Sequence, residues 1–319
     1  MKSAPSKTML SIAIFGGILA VSTASIFIRY AQVYTPSLVI AALRLTFASL
    51  IIAPVALTKH RPELTSLDHR DLLLGLLAGL FLALHFATWI SSLEYTSIAS
   101  SVVLVSTTPL WVALLSPLVL KEPITRPVIL GMVLALLGGM VIALSDICQW
   151  TGGFSCSSIN TFFKGQAMWG NFLALVGAWM AAGYLLIGRR LRAKFSLVPY
   201  IFIVYGMAAI ILIIIMFVAG QTPFGYPAQA YFWILLLAII PQLIGHTTFN
   251  WTLRFLPASL VSITLLGEPI GSTILAFVIL KEVPSISELI GAVFILVGIY
   301  IASRIESKED SMEAAAVNQ

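Results

Sequence analysis

Few side chains in this 319-residue sequence can carry chemistry, and several of those that can stand inside long apolar runs. Glu268 lies near the middle of one run, with Thr264 and Ser272 four residues to either side, so the three share one helical stripe that is expected to face a cavity. A carboxyl placed there can receive a substrate ammonium group or take up a coupling proton. It can equally be a structural carboxyl hydrogen-bonded beside Pro269. His85 shares a face with Trp89 and Ser92, and His246 sits between Gln242 and Asn250 at four-residue spacing. Imidazole donates, accepts and titrates near neutral pH, which suits substrate recognition or proton coupling. A hydrogen bond that fixes helix packing is the alternative for each. The substrate-binding set read from these patterns is His85, Trp89, Thr108, Trp179, His246, Asn250 and Glu268, with Glu268 and His246 as coupling candidates.

Arg44 lies within an apolar run, where it can hold a substrate carboxylate, pair with another span's carboxylate, or snorkel to the interface. Arg29 closes the first run on one stripe with Ser22 and Ser25, either guarding a mouth or anchoring the interface. Pro109 and Pro269 stand mid-run and deprive the carbonyls of Val105 and Leu265 of their usual helical donors, as gating kinks or static bends. The pairs Gly75/Gly79, Gly131/Gly138 and Gly291/Gly298 fit close helix packing; none precedes the Lys-Ser/Thr of a phosphate loop. His60 and His69 fall in a polar connection whose Asp68-His69-Arg70-Asp71 run reads as surface. No local spacing suggests a nucleophile or metal site, so no catalytic residue, metal or cofactor is expected.

The elements that must position these groups follow from composition. Hydrophobic residues make up 59% of the chain and charged residues 10%, against roughly 25% charged in soluble domains. A water-soluble fold cannot hide that much apolar surface. Runs at about 10–30, 37–58, 72–93, 97–120, 127–145, 165–188, 198–219, 230–252, 257–280 and 286–303 each approach the roughly 20 residues that cross a bilayer. The fold class expected is therefore all-α integral membrane with ten transmembrane helices. The start of the chain reads as an uncleaved first helix, because Arg29-Tyr30 follows it in place of a small-residue cleavage site.

Of the 18 Lys and Arg residues, Arg29, Lys164 and Lys281 fall on one side of this arrangement and Arg44 inside a span, leaving fourteen on the other side. The positive-inside rule then makes both termini cytoplasmic. Cys148 and Cys156 fall in the external 146–164 connection, where a disulfide and two separate thiols are both open readings. The polar tail, 305–319, reads as disordered.

At a constant offset of 160, Pro109 meets Pro269, Lys121-Glu122 meets Lys281-Glu282, and Gly131 and Gly138 meet Gly291 and Gly298; His85 and His246 correspond at 161. Two five-helix repeats, at 10–145 and 165–304, must then enter the membrane in opposite orientations, which is the inverted plan of many secondary transporters.

The segment Leu93-Glu94-Tyr95-Thr96-Ser97 through Pro109 to Lys121-Glu122, and Asn250-Trp251-Thr252-Leu253-Arg254-Phe255-Leu256-Pro257-Ala258-Ser259 through Gly267-Glu268-Pro269 to Lys281-Glu282, resembles the two EamA-type repeats of the ten-helix branch of the drug/metabolite transporter superfamily. The likeness covers roughly residues 10–303. It implies a central cavity between the halves, opened alternately to each side and often in the export direction, for small metabolites such as amino acids. The alternatives are a nucleotide-sugar or drug-type transporter of the same fold, and an intramembrane enzyme. Expected partners are a small-molecule substrate and the lipid bilayer, with protons as candidate coupling ions and no nucleic acid; the oligomeric state is open, a monomer being compatible. The bacterial cytoplasmic membrane is the expected location of this multi-pass chain.

Overall fold

A computed structural model describes residues 5–119, 126–145, 148–150, 154–156, 165–256, 258–298 and 300–301. Lys121-Glu122 and the tail 305–319 lie outside these residues. The first half comprises α1 (Lys7–Ser22), α2 (Ala24–Gln32), α3 (Ser37–Lys59), the short α4 (Arg61–Thr65), α5 (His69–Ser92), α6 (Ile98–Val105), α7 (Thr108–Val119) and α8 (Arg126–Ser145). A two-stranded antiparallel hairpin follows, β1 (Cys148–Trp150) and β2 (Phe154–Cys156), whose register sets Cys148 opposite Cys156. The second half contains α9 (Gln166–Arg192), α10 (Leu197–Val218), α11 (Ala228–Leu237), a π-helical stretch Ala238–His246, α12 (Thr247–Thr252), α13 (Ala258–Thr264), α14 (Gly267–Leu275), a second π-helical stretch Ala276–Leu280, and α15 (Ile286–Gly298).

Among the described residues, seven helical stretches are long and apolar enough to cross a membrane: Lys7–Gln32, Ser37–Lys59, His69–Ser92, Ile98–Leu115, Gln166–Arg192, Leu197–Val218 and Ala228–Thr252. Three shorter apolar ones, Ile129–Val141, Gly267–Leu280 and Ile286–Gly298, accompany them. Large apolar side chains such as Phe15, Leu50, Ile214, Phe217 and Phe277 are more than 45% exposed, the surface a bilayer would solvate.

The two runs expected as unbroken helices at 97–120 and 257–280 are each interrupted. α6 ends at Val105, Ser106 and Thr107 form a turn, and α7 restarts at Thr108; α13 ends at Thr264 and α14 restarts at Gly267. Pro109 and Pro269 thus occupy the first turn of a new helix, where a missing N–H costs nothing, and not the interior of a bent one. The carbonyls expected to lack donors have them: Val105 O accepts from the Thr108 hydroxyl at 2.8 Å, and Leu265 O from the Glu268 amide at 2.9 Å. Thr107 Oγ1 donates to Leu104 O and Thr264 Oγ1 to Val261 O, each at 2.7 Å. Helix backbone is exposed at these breaks only because hydroxyls and tight turns satisfy it.

Packing repeats with the sequence. A Cβ at Gly17 would stand 3.3 Å from Thr248 and 3.4 Å from Phe249; one at Gly177 would stand 3.3 Å from both Thr88 and Trp89. Gly17 and Gly177, Thr88 and Thr248, and Trp89 and Phe249 are each 160 apart. So α1 lies on α12 as α9 lies on α5. The contact between α8 and α15 is reciprocal: a Cβ on Gly138 would come within 2.5 Å of Gly291 O, and one on Gly298 within 2.6 Å of Gly131 O. Residue i of one repeat meeting j of the other, and j meeting i, is the signature of a two-fold relation.

Candidate functional site

Both helix breaks open on one cavity. It holds about 660 Å³ of space free of protein atoms, its opening included, and its walls come from α5, the Val105–Pro109 break, α9, the Ala238–His246 π-helical stretch, α12 and the Leu265–Glu268 break. Phe86 and His246, which are 160 apart, stand with ring centroids 5.3 Å apart. Equivalent residues of two repeats touch only near the axis relating them, so the cavity lies at the centre of the molecule.

Of the seven residues expected to bind substrate, His85, Trp89, Thr108, His246, Asn250 and Glu268 line the cavity. Trp179 does not: it is 36% exposed and packs edge-on against Trp111 and Phe172, at 5.2 and 6.5 Å. Pro109 also lines the cavity, whereas Pro269 is buried and is not part of its wall. The expected stripe Thr264, Glu268, Ser272 is split by the break. Only Glu268 faces the cavity, and Ser272 donates to Ser22 O at 3.1 Å, tying α14 to the end of α1.

The wall is chemically varied. His85 Nδ1 lies 2.9 Å from Gly177 O; a carbonyl can only accept, so Nδ1 carries the proton and the neutral ring leaves Nε2 as its acceptor. The His85 ring stacks on Trp89 at 5.8 Å and meets His246 edge-on at 6.5 Å. Tyr184, which sequence reasoning missed, lines the cavity and donates to Asn250 Oδ1 at 2.5 Å. Asn250 Nδ2 donates to Tyr205 Oη at 3.1 Å, and Tyr205 Oη meets Thr247 Oγ1 at 3.2 Å. Val105, Leu185, Phe249 and Leu265 supply apolar surface. The lining thus combines apolar surface with one carboxyl, two imidazoles, one amide and the hydroxyls of Ser106, Thr108 and Tyr184.

Arg44 does not snorkel. It is fully buried, its Nε donates to Gln242 Oε1 at 3.0 Å, and its guanidinium lies 4.1 Å over the Phe86 ring. Arg29 reaches the α5–α6 connection, donating to Leu93 O and, at 2.9 Å, to Thr96 O, with Glu282 at 3.8 Å. Arg189 makes the equivalent bond in the second half, to Leu253 O at 2.6 Å; both its members stand 160 beyond Arg29 and Leu93. Asp71, read as surface, is buried and held by Lys194 at 2.9 Å. Among the described residues no three His, Cys, Asp or Glu side chains stand close enough to hold a metal ion.

The model of the EamA-like transporter family matches residues 8–144 and 168–304. An uncharacterized transporter of Bacillus subtilis, YetK, is 25% identical over 277 residues, covering 86% of this chain and 80% of the relative. An uncharacterized transporter of Archaeoglobus fulgidus is 25% identical over 287 residues, covering 88% and 92%. A protein of known crystal structure superposes with a TM-score of 0.64 at 18% identity, over 95% of this chain and 99% of that one.

Proposed function

The chain belongs to the EamA-like transporter family, and from that premise we propose that it is a secondary active transporter that exports small metabolites such as amino acids by alternating access. The observation that carries this reading is the central cavity at two helix breaks, where unwound backbone and a lone carboxyl converge.

In this reading the seven long apolar stretches and the three shorter ones are ten crossings, five in each of two oppositely inserted repeats at 10–145 and 165–304. The distribution of Lys and Arg orients both termini to the cytoplasm, in a bacterial inner membrane. Glu268 is the coupling group and the polar anchor for a substrate ammonium. A carboxyl in a wall of Trp89, Leu185, Phe249 and Leu265 has little water to share its charge with, so either a proton or a cation stabilises it. His246 and His85 relay or orient that proton, Trp89 and Phe249 receive the apolar part of the solute, and Asn250 is positioned by Tyr184 and Tyr205. The two breaks let α7 and α14 rock against their partners without dragging a continuous helix. Cys148 pairs with Cys156 in the backbone register of the hairpin, and a disulfide between them belongs to this reading.

The test is uptake of radiolabelled amino acids and nucleosides into proteoliposomes with and without a pH gradient, comparing wild type with Glu268→Gln. Saturable gradient-dependent flux in wild type, with gradient dependence lost in the variant, is expected. Gradient-dependent flux that survives Glu268→Gln would remove the coupling role and leave transport standing; no saturable flux of any solute in the panel would remove the substrate reading.

A further inference from the structure

Behind the cavity wall stands a group of buried side-chain N–H donors that bond to nothing. Arg44 is fully buried, yet its Nη1 and Nη2 have no hydrogen-bond partner; neither does Trp89 Nε1. The group is compact. Gln242 holds Arg44 by Nε, the guanidinium lies over Phe86, and Phe86 packs on Trp89 at 6.3 Å and on His246 at 5.3 Å, both of which line the cavity. The Phe86 ring thus bridges the guanidinium of Arg44 and two residues of the cavity wall, Trp89 and His246.

Burying a guanidinium with two of its nitrogens unbonded is strongly unfavourable, and a protein retains such a group where a partner arrives in another state. Every orphan in this group is a donor, so the partner must be an acceptor and, beside an arginine, an anion. Glu268 interacts electrostatically with Arg44 but makes no ion pair with it within 4 Å, so it does not fill the fork. Phe86 can turn about its side-chain torsions where Arg44, held by Gln242, cannot withdraw.

Building on the transporter reading above, we infer that Arg44 is the specificity-determining residue for a carboxylate on the substrate: when the Phe86 ring swings aside, the two Nη groups take the carboxylate in fork geometry and Trp89 Nε1 donates to it as well. Arg44 and Glu268 then form a site of opposite charges for a zwitterion. The planar fork explains an arginine in place of a lysine, because two parallel N–H groups match two carboxylate oxygens.

The experiment is proteoliposome counterflow with each of the twenty proteinogenic amino acids and the corresponding amino-acid amide, in which the carboxylate is replaced by a neutral group of the same shape. For any amino acid carried, wild type favours acid over amide. Arg44→Gln reduces acid flux by about 10- to 100-fold, the worth of a charge-assisted hydrogen-bond pair, and leaves amide flux within about twofold. Arg44→Lys, which keeps the charge and loses the fork, raises KM for the acid about 10-fold with little change for the amide. Equal losses for acid and amide in both variants mean a structural arginine and overturn the assignment, as does unchanged acid flux in both. If wild type carries no amino acid, the substrate reading fails on its own. Arg44 is then judged by thermal unfolding with benzoate and benzamide: stabilisation of wild type by benzoate alone, absent in Arg44→Lys, supports it, and equal stabilisation of both proteins overturns it.

Discussion

Thr108 and Glu268 are 160 residues apart, stand at the restarts of α7 and α14, and face the same cavity. The repeat thus supplies a symmetric frame, and differences of side chain make it asymmetric, among them a carboxyl on one wall where the other has a hydroxyl. Outside the apolar spans, Glu63 illustrates how a carboxyl is held charged. Partial burial pushes it up, but the Ser196 hydroxyl at 2.5 Å and amide at 2.6 Å donate to it, and His60 lies 3.8 Å away; these outweigh burial and hold it below its ordinary value of 4.5. A carboxyl lowered by folding contributes its full stability above the unfolded value and loses it as pH falls through the lower, folded value. Wild-type melting temperature should therefore fall more steeply than that of Glu63→Gln as detergent solutions are taken from neutral pH to below about 4. Parallel curves for the two proteins would show that the Ser196 bonds contribute nothing. The ionisable residues that line the cavity were legible because an ionisable group in an apolar run is conspicuous. Arg44's partner was not, since Gln242 lies 198 positions away and no local pattern links them. Tyr184 was hidden for another reason: in an apolar span a tyrosine reads as packing until its hydroxyl is seen on Asn250.

At the level of the elements, the offset of 160 was readable from Pro and Gly landmarks, and the packing follows it. The breaks were not. Hydropathy is the same for a continuous helix and for two half-helices in line, and Pro109 alone signals a bend as readily as a restart. The more telling sign was the run Ser106-Thr107-Thr108 before it, which supplies the hydroxyls that satisfy a broken backbone. The glycines distinguish tight from loose contacts. Gly138→Ala would place a methyl 2.5 Å from the Gly291 carbonyl oxygen, with no flexible side chain to yield, and should destabilise by about 1–3 kcal/mol. Gly16→Ala meets nothing within 4 Å and should stabilise slightly, by up to about 1 kcal/mol of helix propensity. Thermal unfolding of both in the same detergent checks the pair; a Gly138→Ala protein as stable as wild type would mean that α8 and α15 do not cross as closely as described.

Across the whole molecule, two polar seams join the halves, one at each end of α5. At its start, Lys194 holds Asp71 at 2.9 Å and Ser196 holds Glu63. At the end that follows Ser92, Glu282 Oε1 accepts from the Ile98 amide at 2.6 Å and lies beside Arg29. Glu288 there completes a capping box with Ser285, and its Oε1 also accepts from the hydroxyls of Ser97 and Ser100. This second seam binds the beginning of α6 to the beginning of α15, so the alternating access proposed above would require it to part. Cysteines at Ser97 and Glu288, in a background with Cys148 and Cys156 replaced by Ser, should stop flux when joined by a short methanethiosulfonate linker and regain it on reduction. Undiminished flux from protein shown by mass to be linked would mean that the seam stays shut throughout the cycle.

The reciprocal glycine crossing of α8 and α15 carries an evolutionary corollary. A surface on which Gly131 and Gly138 meet Gly298 and Gly291 in exchange is self-complementary, which is the property a homodimer interface has before its two copies diverge. The molecule keeps the geometry of two identical subunits fused end to end. On the proposed reading of ten crossings, a five-helix ancestor would have had to insert in either direction to form it, and fusion would have left the two copies free to differ, one with a hydroxyl where the other has a carboxyl.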